Sequence, residues 1–241
     1  EKQLSEHLFT PCASTEQSHF GWVNALGKHG DTTVHAVNGN YLLCARKEEK
    51  ILPAPVVKDM IEQKVAQLEA EQSRGATKKE KEQFKEDIIF ELLPRAFSRY
   101  SDTRAYINSV HNIVIDTSSR GKAEDFLALL RKSLGTLPVT TPSPEKAPDE
   151  LMTEWLVESN LGANFQLGME AEFNALGDDG AVVRVKNQDL TSEEIKAHLD
   201  ADKYVVKVAL EWDESLSFIL CDDLAVKRLK FYDVIQDYLE A

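Results

Sequence analysis

Apolar residues recur along this chain with two periods, 2 and 3.6, and the switches between them mark out its elements. Phe20 to Val23 and Thr32 to Val37 have the aromatic and β-branched composition of strands, and Tyr41-Leu42-Leu43-Cys44-Ala45 returns after Asn38-Gly39. Asn-Gly between two such runs predicts a hairpin, because a type I′ turn needs positive φ at both central residues. Pro53 and Pro55 end that strand. A helix is predicted from about Val56 to Gln72, with Val57, Ile61, Val65 and Leu68 as its apolar stripe. A second opens at Thr77, where Thr-Lys-Lys-Glu matches a capping box, and runs to Leu93 with Phe84, Ile88, Ile89 and Leu92 on one side. Ser73-Arg74-Gly75-Ala76 connects the two as an expected αα-hairpin over residues 56–93. Its narrow stripes suit an arm that projects from the body.

Further along, His111 to Asp116 reads as a strand, and Lys122 to Leu134 as a helix that stops at Gly135, a good C′ residue. Pro138 follows as a breaker, and Pro142, Pro144 and Pro148 among Thr and Ser give 139–150 the chemistry of a linker. The expected organisation is an α+β unit over 1–138, the linker, and a second α+β unit over 151–241. The second unit reads as a strand Ala181 to Lys186 and a helix Ser192 to Leu199, capped by Thr191 with Glu194 completing its box. Strands Tyr204 to Trp212, Leu216 to Cys221 and Val226 to Phe231 follow, then a closing helix from Asp233. Antiparallel hairpins beside separate helices argue for an α+β fold with mixed, mostly antiparallel sheets rather than a doubly wound one.

Composition fits a globular chain of 241 residues, 42% hydrophobic and 29% charged. No run approaches the ~18 apolar residues that span a membrane, so no membrane partner is expected and a cytoplasmic location is the simplest reading. The first residue is Glu1 rather than Met, which leaves room for a missing N-terminal segment. Cys12, Cys44 and Cys221 form no CxxC pair and are expected to be free thiols.

Charge changes the picture most. The net value is −13, yet residues 44–136 hold 17 of the 28 cations and carry +2, whereas 137–241 carry −13. A chain so acidic repels polyanions unless its cations are segregated onto one surface. Three blocks set cations beside apolar residues: Arg46, Lys47 and Lys50 ahead of Ile51-Leu52-Pro53; Arg95 and Arg99 around Phe97; and Arg131 and Lys132 after Leu129-Leu130. Arg184, Lys186, Asn187 and Gln188 at a strand end offer donors to phosphate oxygens without a base code. Lys227, Arg228 and Lys230 add three cations, and strand alternation predicts Lys227 and Leu229 on one face with Arg228 and Lys230 on the other. The bland alternative for all of these is solvated helix faces held in i,i+4 pairs.

Catalytic chemistry is sparse. The chain has no G-x-x-x-x-G-K-[ST], G-x-G-x-x-G, G-x-S-x-G or H-E-x-x-H, and its six histidines are scattered. No catalytic residue, metal or cofactor is expected, and the chain is read as a non-enzyme. Asp222-Asp223 could supply carboxylates to a two-metal nuclease, although adjacent aspartates at a strand end more often make a turn.

Five segments carry a family resemblance. They are Cys44 to Pro53, Leu92 to Arg99, Lys122 to Gly135, Gln188 to Ile195, and Cys221-Asp222-Asp223 with Lys227 to Phe231. In their order and over nearly the whole chain they resemble the RdgC family of bacterial recombination-associated proteins. The resemblance implies a nucleoid-associated, non-catalytic protein that binds double-stranded DNA with little sequence preference and restrains RecA-dependent recombination. It also implies a ring-shaped homodimer of curved subunits, with DNA passing through a positively lined hole. On that likeness Phe97 falls in a subunit contact, and Lys186 and Gln188 in a stretch facing DNA where Asn187 replaces a second lysine. Arg46, Lys47, Lys50, Arg95, Arg99, Arg131, Lys132, Arg228 and Lys230 complete the candidate contacts. The chain lacks a short N-terminal segment and a longer C-terminal portion expected of the family. Two rivals stand beside this reading: a metal-dependent nuclease using Asp222 and Asp223, and an interaction module whose acidic C-terminal region contacts RecA directly.

Overall fold

The computed structural model describes residues 2–110, 112–176, 180–233 and 235. The architecture is α+β, with two antiparallel sheets and five α-helices among the described residues, and the chain divides into two units, Glu1–Pro138 and Val139–Ala241.

The first unit runs β1 (Ser18–Val23), β2 (Val34–Val37), β3 (Asn40–Ile51), α1 (Ala54–Gln72), α2 (Lys78–Leu92), β4 (Phe97–Ile107), β5 (Ile113–Ile115) and α3 (Arg120–Leu134). Its sheet has the order β1-β3-β4-β5, with β2 also paired to β3. Val37 pairs with Asn40, so Asn38 and Gly39 make a two-residue turn with φ of 50° and 76°, the positive values that the Asn-Gly sequence predicts. The capping box at Thr77 forms as well. Its hydroxyl accepts from the Glu80 amide at 3.3 Å and the Glu80 carboxylate accepts from the Thr77 amide at 2.9 Å. Of the stripe residues on α1 and α2 only Val57 and Ile88 are buried, and the others are half-buried.

One face of this sheet packs beneath α3. Leu43, Ala45 and Ala105 meet Trp22 and Leu4 on one side and Phe126, Leu129 and Leu130 on the other. The Trp22 and Phe126 rings meet edge to face, with centroids 5.2 Å apart. The Trp22 indole N–H donates to the Ser133 hydroxyl at 2.8 Å, and that hydroxyl donates to the Leu129 carbonyl at 2.9 Å. The Trp22 and Ser133 polar atoms drawn into this core are thereby matched, which offsets the cost of burying them. Gly21 permits a second close approach. The Phe9 amide donates to the Trp22 carbonyl at 2.8 Å, and a Cβ at residue 21 would lie 2.5 Å from the Phe9 Cα.

The second unit runs α4 (Pro148–Glu158), β6 (Phe165–Ala175), β7 (Val182–Lys186), α5 (Glu193–Asp200), β8 (Lys203–Trp212), β9 (Leu216–Cys221) and β10 (Val226–Phe231). The sheet order is β10-β9-β8-β6-β7. One face packs Ala171, Phe173, Val205, Val208 and Leu210 against Met152 and Leu156 of α4 and Ile195 of α5. The opposite face is left uncovered by these helices.

Several sequence expectations change. Pro148 does not belong to a linker: it opens α4, at a position where its missing N–H and fixed φ suit a helix start. Residue 191 is not the cap of α5. Its hydroxyl and amide both bind the Asp189 carboxylate, at 2.7 and 2.9 Å, an Asx turn that outcompetes the capping box. Ser192 takes the N-cap position, its hydroxyl making no capping bond to the helix. Strand alternation fails in β10, where Lys227 pairs with Ile219 and Lys230 with Ser217 across a bulge. The extra residue there puts Lys227 and Lys230 on one face, not opposite faces. The strand expected from His111 is Ile113–Ile115, with His111 outside the described residues, as is most of the helix expected from Asp233.

Candidate functional site

The uncovered face of the second sheet gathers cations from strands distant in sequence. Cross-strand partners in an antiparallel pair share a face, and the register sets Arg184 opposite Glu172, Lys186 opposite Glu170, and Lys207 opposite Glu172. Lys227 and Arg228 arrive from β10, and all seven side chains line one cavity of about 230 Å³ with Ala171, Val185 and Ile219. Five cations against two carboxylates leave this groove three charges positive, within a stretch of chain, 137–241, that is 13 negative. It is the kind of segregation a polyanion site requires.

Ion pairs organise the groove. Glu172 accepts from Arg184 Nε at 2.7 Å and from Lys207 Nζ at 2.8 Å, and the Lys207 bond, then the Arg184 bond, hold its carboxyl below the usual carboxylate range against the opposing effect of burial. Arg228 Nη1 donates to Glu170 at 2.8 Å. Arg228 adopts φ of 52° at the bulge, a left-handed conformation that costs a residue with a side chain about 1–2 kcal/mol. Lys186 and Lys227 have no carboxylate within ion-pair distance among the described residues. Gln188 is turned away from the groove, its amide donating to Ser192 Oγ at 3.2 Å and Glu194 at 3.1 Å. Lys230 stands 5.8 Å above the ring of Tyr232.

The candidates in the first unit do not converge. Strand alternation along β3 splits Arg46, Lys47 and Lys50 between two faces, and each finds an acid. Arg46 forks onto Asp102 across the sheet at 2.7 and 2.8 Å. Lys47 reaches Asp125 at 3.2 Å and Glu49 at 3.5 Å, and Arg99 donates to Glu49 at 2.8 Å. Lys50 lies 3.8 Å from Glu48. Arg95 in the short turn Leu93–Arg95, and Arg131 and Lys132 in the last turn of α3, are exposed, with no carboxylate at ion-pair distance among the described residues. Phe97 is 83% exposed at the start of β4, beside Ile51 across the pair.

Glu48, beside Lys50, anchors the chain ahead of β1. The carboxylate is buried and accepts from the Ser98 hydroxyl at 2.5 Å and the Cys12 amide at 2.7 Å, tying the segment before β1 to the sheet. These two bonds, Ser98 first, hold its carboxyl below the usual range. A depressed folded value means that the bonds stabilise the protein above the unfolded carboxylate range, about 4.3, and that this contribution disappears as pH falls through the folded value. Glu48→Gln is therefore expected to be less stable than the wild type near neutral pH, with the gap narrowing on acidification. Urea denaturation of both proteins over that range checks it, and a gap independent of pH would contradict the assignment.

Asp222 and Asp223 sit in the β9–β10 turn, where the Asp223 carboxylate accepts from the Ala225 amide at 3.0 Å. Among the described residues no group of three or more His, Cys, Asp or Glu side chains is arranged to hold a metal ion, and no helix is long and apolar enough to cross a membrane. All three cysteines are free, with Cys44 and Cys221 buried and Cys12 half-buried.

Sequence reasoning named Arg184, Lys186, Lys227 and Arg228 but missed Lys207, Glu170 and Glu172. Lys207 stands amid the apolar run of β8, and that lone cation was the available signal. The two glutamates lie in β6, a strand that the sequence did not announce.

Comparison with known proteins adds a lineage. The family model described as "Putative exonuclease, RdgC" matches residues 1–241. The chain is similar to the recombination-associated protein RdgC of Colwellia psychrerythraea, at 78% identity over 98% of this chain and 78% of that protein. It is also similar to the proteins of the same name from Aeromonas hydrophila, at 53% identity over 98% and 78%, and Tolumonas auensis, at 50% over 100% and 80%.

Proposed function

Because the chain belongs to the RdgC family, we propose that it binds double-stranded DNA without sequence preference, through the groove of Arg184, Lys186, Lys207, Lys227 and Arg228, and that it restrains RecA-dependent recombination by covering the duplex. The observation that carries this reading is the groove itself, three charges positive in the most acidic part of the chain. Its donors are lysines and arginines suited to phosphate oxygens, which position a protein on DNA without reading bases. The relatives of this chain are recombination-associated proteins by name. Arg95, Arg131 and Lys132 are further phosphate contacts in this reading. The exposed Phe97 serves a homodimer contact, since a large aromatic at the surface suits an interface core. A ring of two subunits, an arm built of α1 and α2, and an association with the nucleoid complete the proposal.

The protein acts without catalysis in this reading. The turn bond of Asp223 supports that assignment against a nuclease built on Asp222 and Asp223. The test is fluorescence anisotropy with two duplexes of unrelated sequence over a salt series, with one aliquot incubated with magnesium and assayed for released nucleotides. Equal affinities and a steep negative slope of log K against log salt are expected from counterion release, with intact DNA throughout. Failure to bind either duplex would remove the reading. Magnesium-dependent degradation abolished by Asp222→Asn would replace it with the nuclease.

A further inference from the structure

The groove supplies its own counter-anions. Arg228 on β10 and Glu170 on β6 are separated by two strands, β9 and β8, which at ~4.8 Å per neighbour would set their backbones ~14 Å apart in a flat sheet. Their 2.8 Å bond therefore spans the groove as a strut over a concave face. The strut is exposed, with 61% of the Arg228 side chain and 32% of Glu170 accessible. Exposed pairs of this kind contribute little to folding, so its significance lies in what it does to the groove. Glu172 in turn engages two cations, Arg184 and Lys207. Three of the five cations are thus held by carboxylates, whereas Lys186 and Lys227, the latter beside the buried Cys221 thiol, have none and are left for a first encounter.

We propose that Glu170 and Glu172 act as an internal competitor of the phosphate backbone, holding Arg184, Lys207 and Arg228 in ion pairs that a phosphate must exchange, and so keep the affinity of the groove below what its cations permit. Phosphate lands on Lys186 and Lys227. Arg228 then leaves Glu170 for the phosphate, whose oxygens its planar fork can take in pairs. Weak, exchangeable binding lets a backbone binder move along DNA rather than lock onto it. This inference rests on the duplex-binding reading above.

Its test compares the wild type with Glu170→Gln, Glu172→Gln and Lys186→Glu by anisotropy on a labelled duplex over a salt series, with circular dichroism to establish folding. Neutralising either glutamate is expected to tighten binding about 3- to 10-fold near 0.1 M salt and to steepen the log-log slope by about one for each cation released to a phosphate. Lys186→Glu weakens binding. If the wild type fails to bind, the reading of the groove falls and the competitor with it. If the wild type binds and Lys186→Glu weakens it, but the glutamine variants match the wild type or bind less tightly, the competitor is overturned while the groove stands. Should Glu172→Gln not fold, Glu170→Gln decides the matter from its more exposed position.

Discussion

Lys186→Glu combined with Lys227→Glu is expected to lower affinity for duplex DNA roughly a hundredfold at moderate salt, by removing two phosphate contacts and adding repulsion. The double change takes the groove from three charges positive to one negative, since each substitution shifts it by two. Neither lysine has a carboxylate at ion-pair distance among the described residues, so the folded protein loses no ion pair. Its stability should fall by no more than about 1 kcal/mol, the contact of the half-buried Lys227 with the Cys221 thiol being the interaction lost. Affinity and salt slope from anisotropy, with a denaturation curve alongside, separate these effects. An unchanged affinity in a folded double variant would move the interface to the exposed cations of the first unit, Arg95, Arg131 and Lys132.

The largest effect on stability is expected at Trp22. Its side chain is 1% exposed, meets Phe126 edge to face and donates to Ser133. Trp22→Ala removes the largest side chain of that core and should destabilise the first unit by about 3–5 kcal/mol. Trp22→Phe keeps an aromatic edge near Phe126 but loses the indole donor. Ser133 still has the Leu129 carbonyl to donate to, so the cost should fall nearer 1–2 kcal/mol. Urea denaturation followed by far-ultraviolet circular dichroism measures both. A loss below about 1 kcal/mol in the alanine variant would mean that the site collapses around the missing ring and that Trp22 is not the keystone of α3 packing.

Elements with their own punctuation were readable in the sequence. Asn38-Gly39 fixes its hairpin, Thr77 with Glu80 starts α2, and Gly135 at φ of 84° stops α3. Three elements lack such marks. The strand β4 is rich in Arg, Ser and Tyr, and its extended form is imposed by pairing with β3 along its whole length. In β6 the alternation is interrupted near Gly168, whose added Cβ would lie 2.8 Å from Ala209 Cβ. The helix α4 hides behind Pro148, which looks like linker until the following Met152 and Leu156 are seen buried. The candidate site followed the same logic. Cations can be counted from sequence, but whether they are neutralised depends on register. Arg46 meets Asp102, and Arg99 meets Glu49, only because β3 and β4 pair as they do. That information resides in residues fifty or more positions away.

The strut from Arg228 to Glu170 joins the last described strand of the chain to the first strand of the second sheet. On a ribosome, which releases the chain from its N-terminal end, the residues of this face emerge in an order that matters. Before β10 appears, Arg184, Lys186 and Lys207 stand against Glu170 and Glu172, a balance of one positive charge. Lys227 and Arg228 raise it to three. The positive excess of this face is thus completed only when β10 joins the strands that carry Arg184, Lys186 and Lys207.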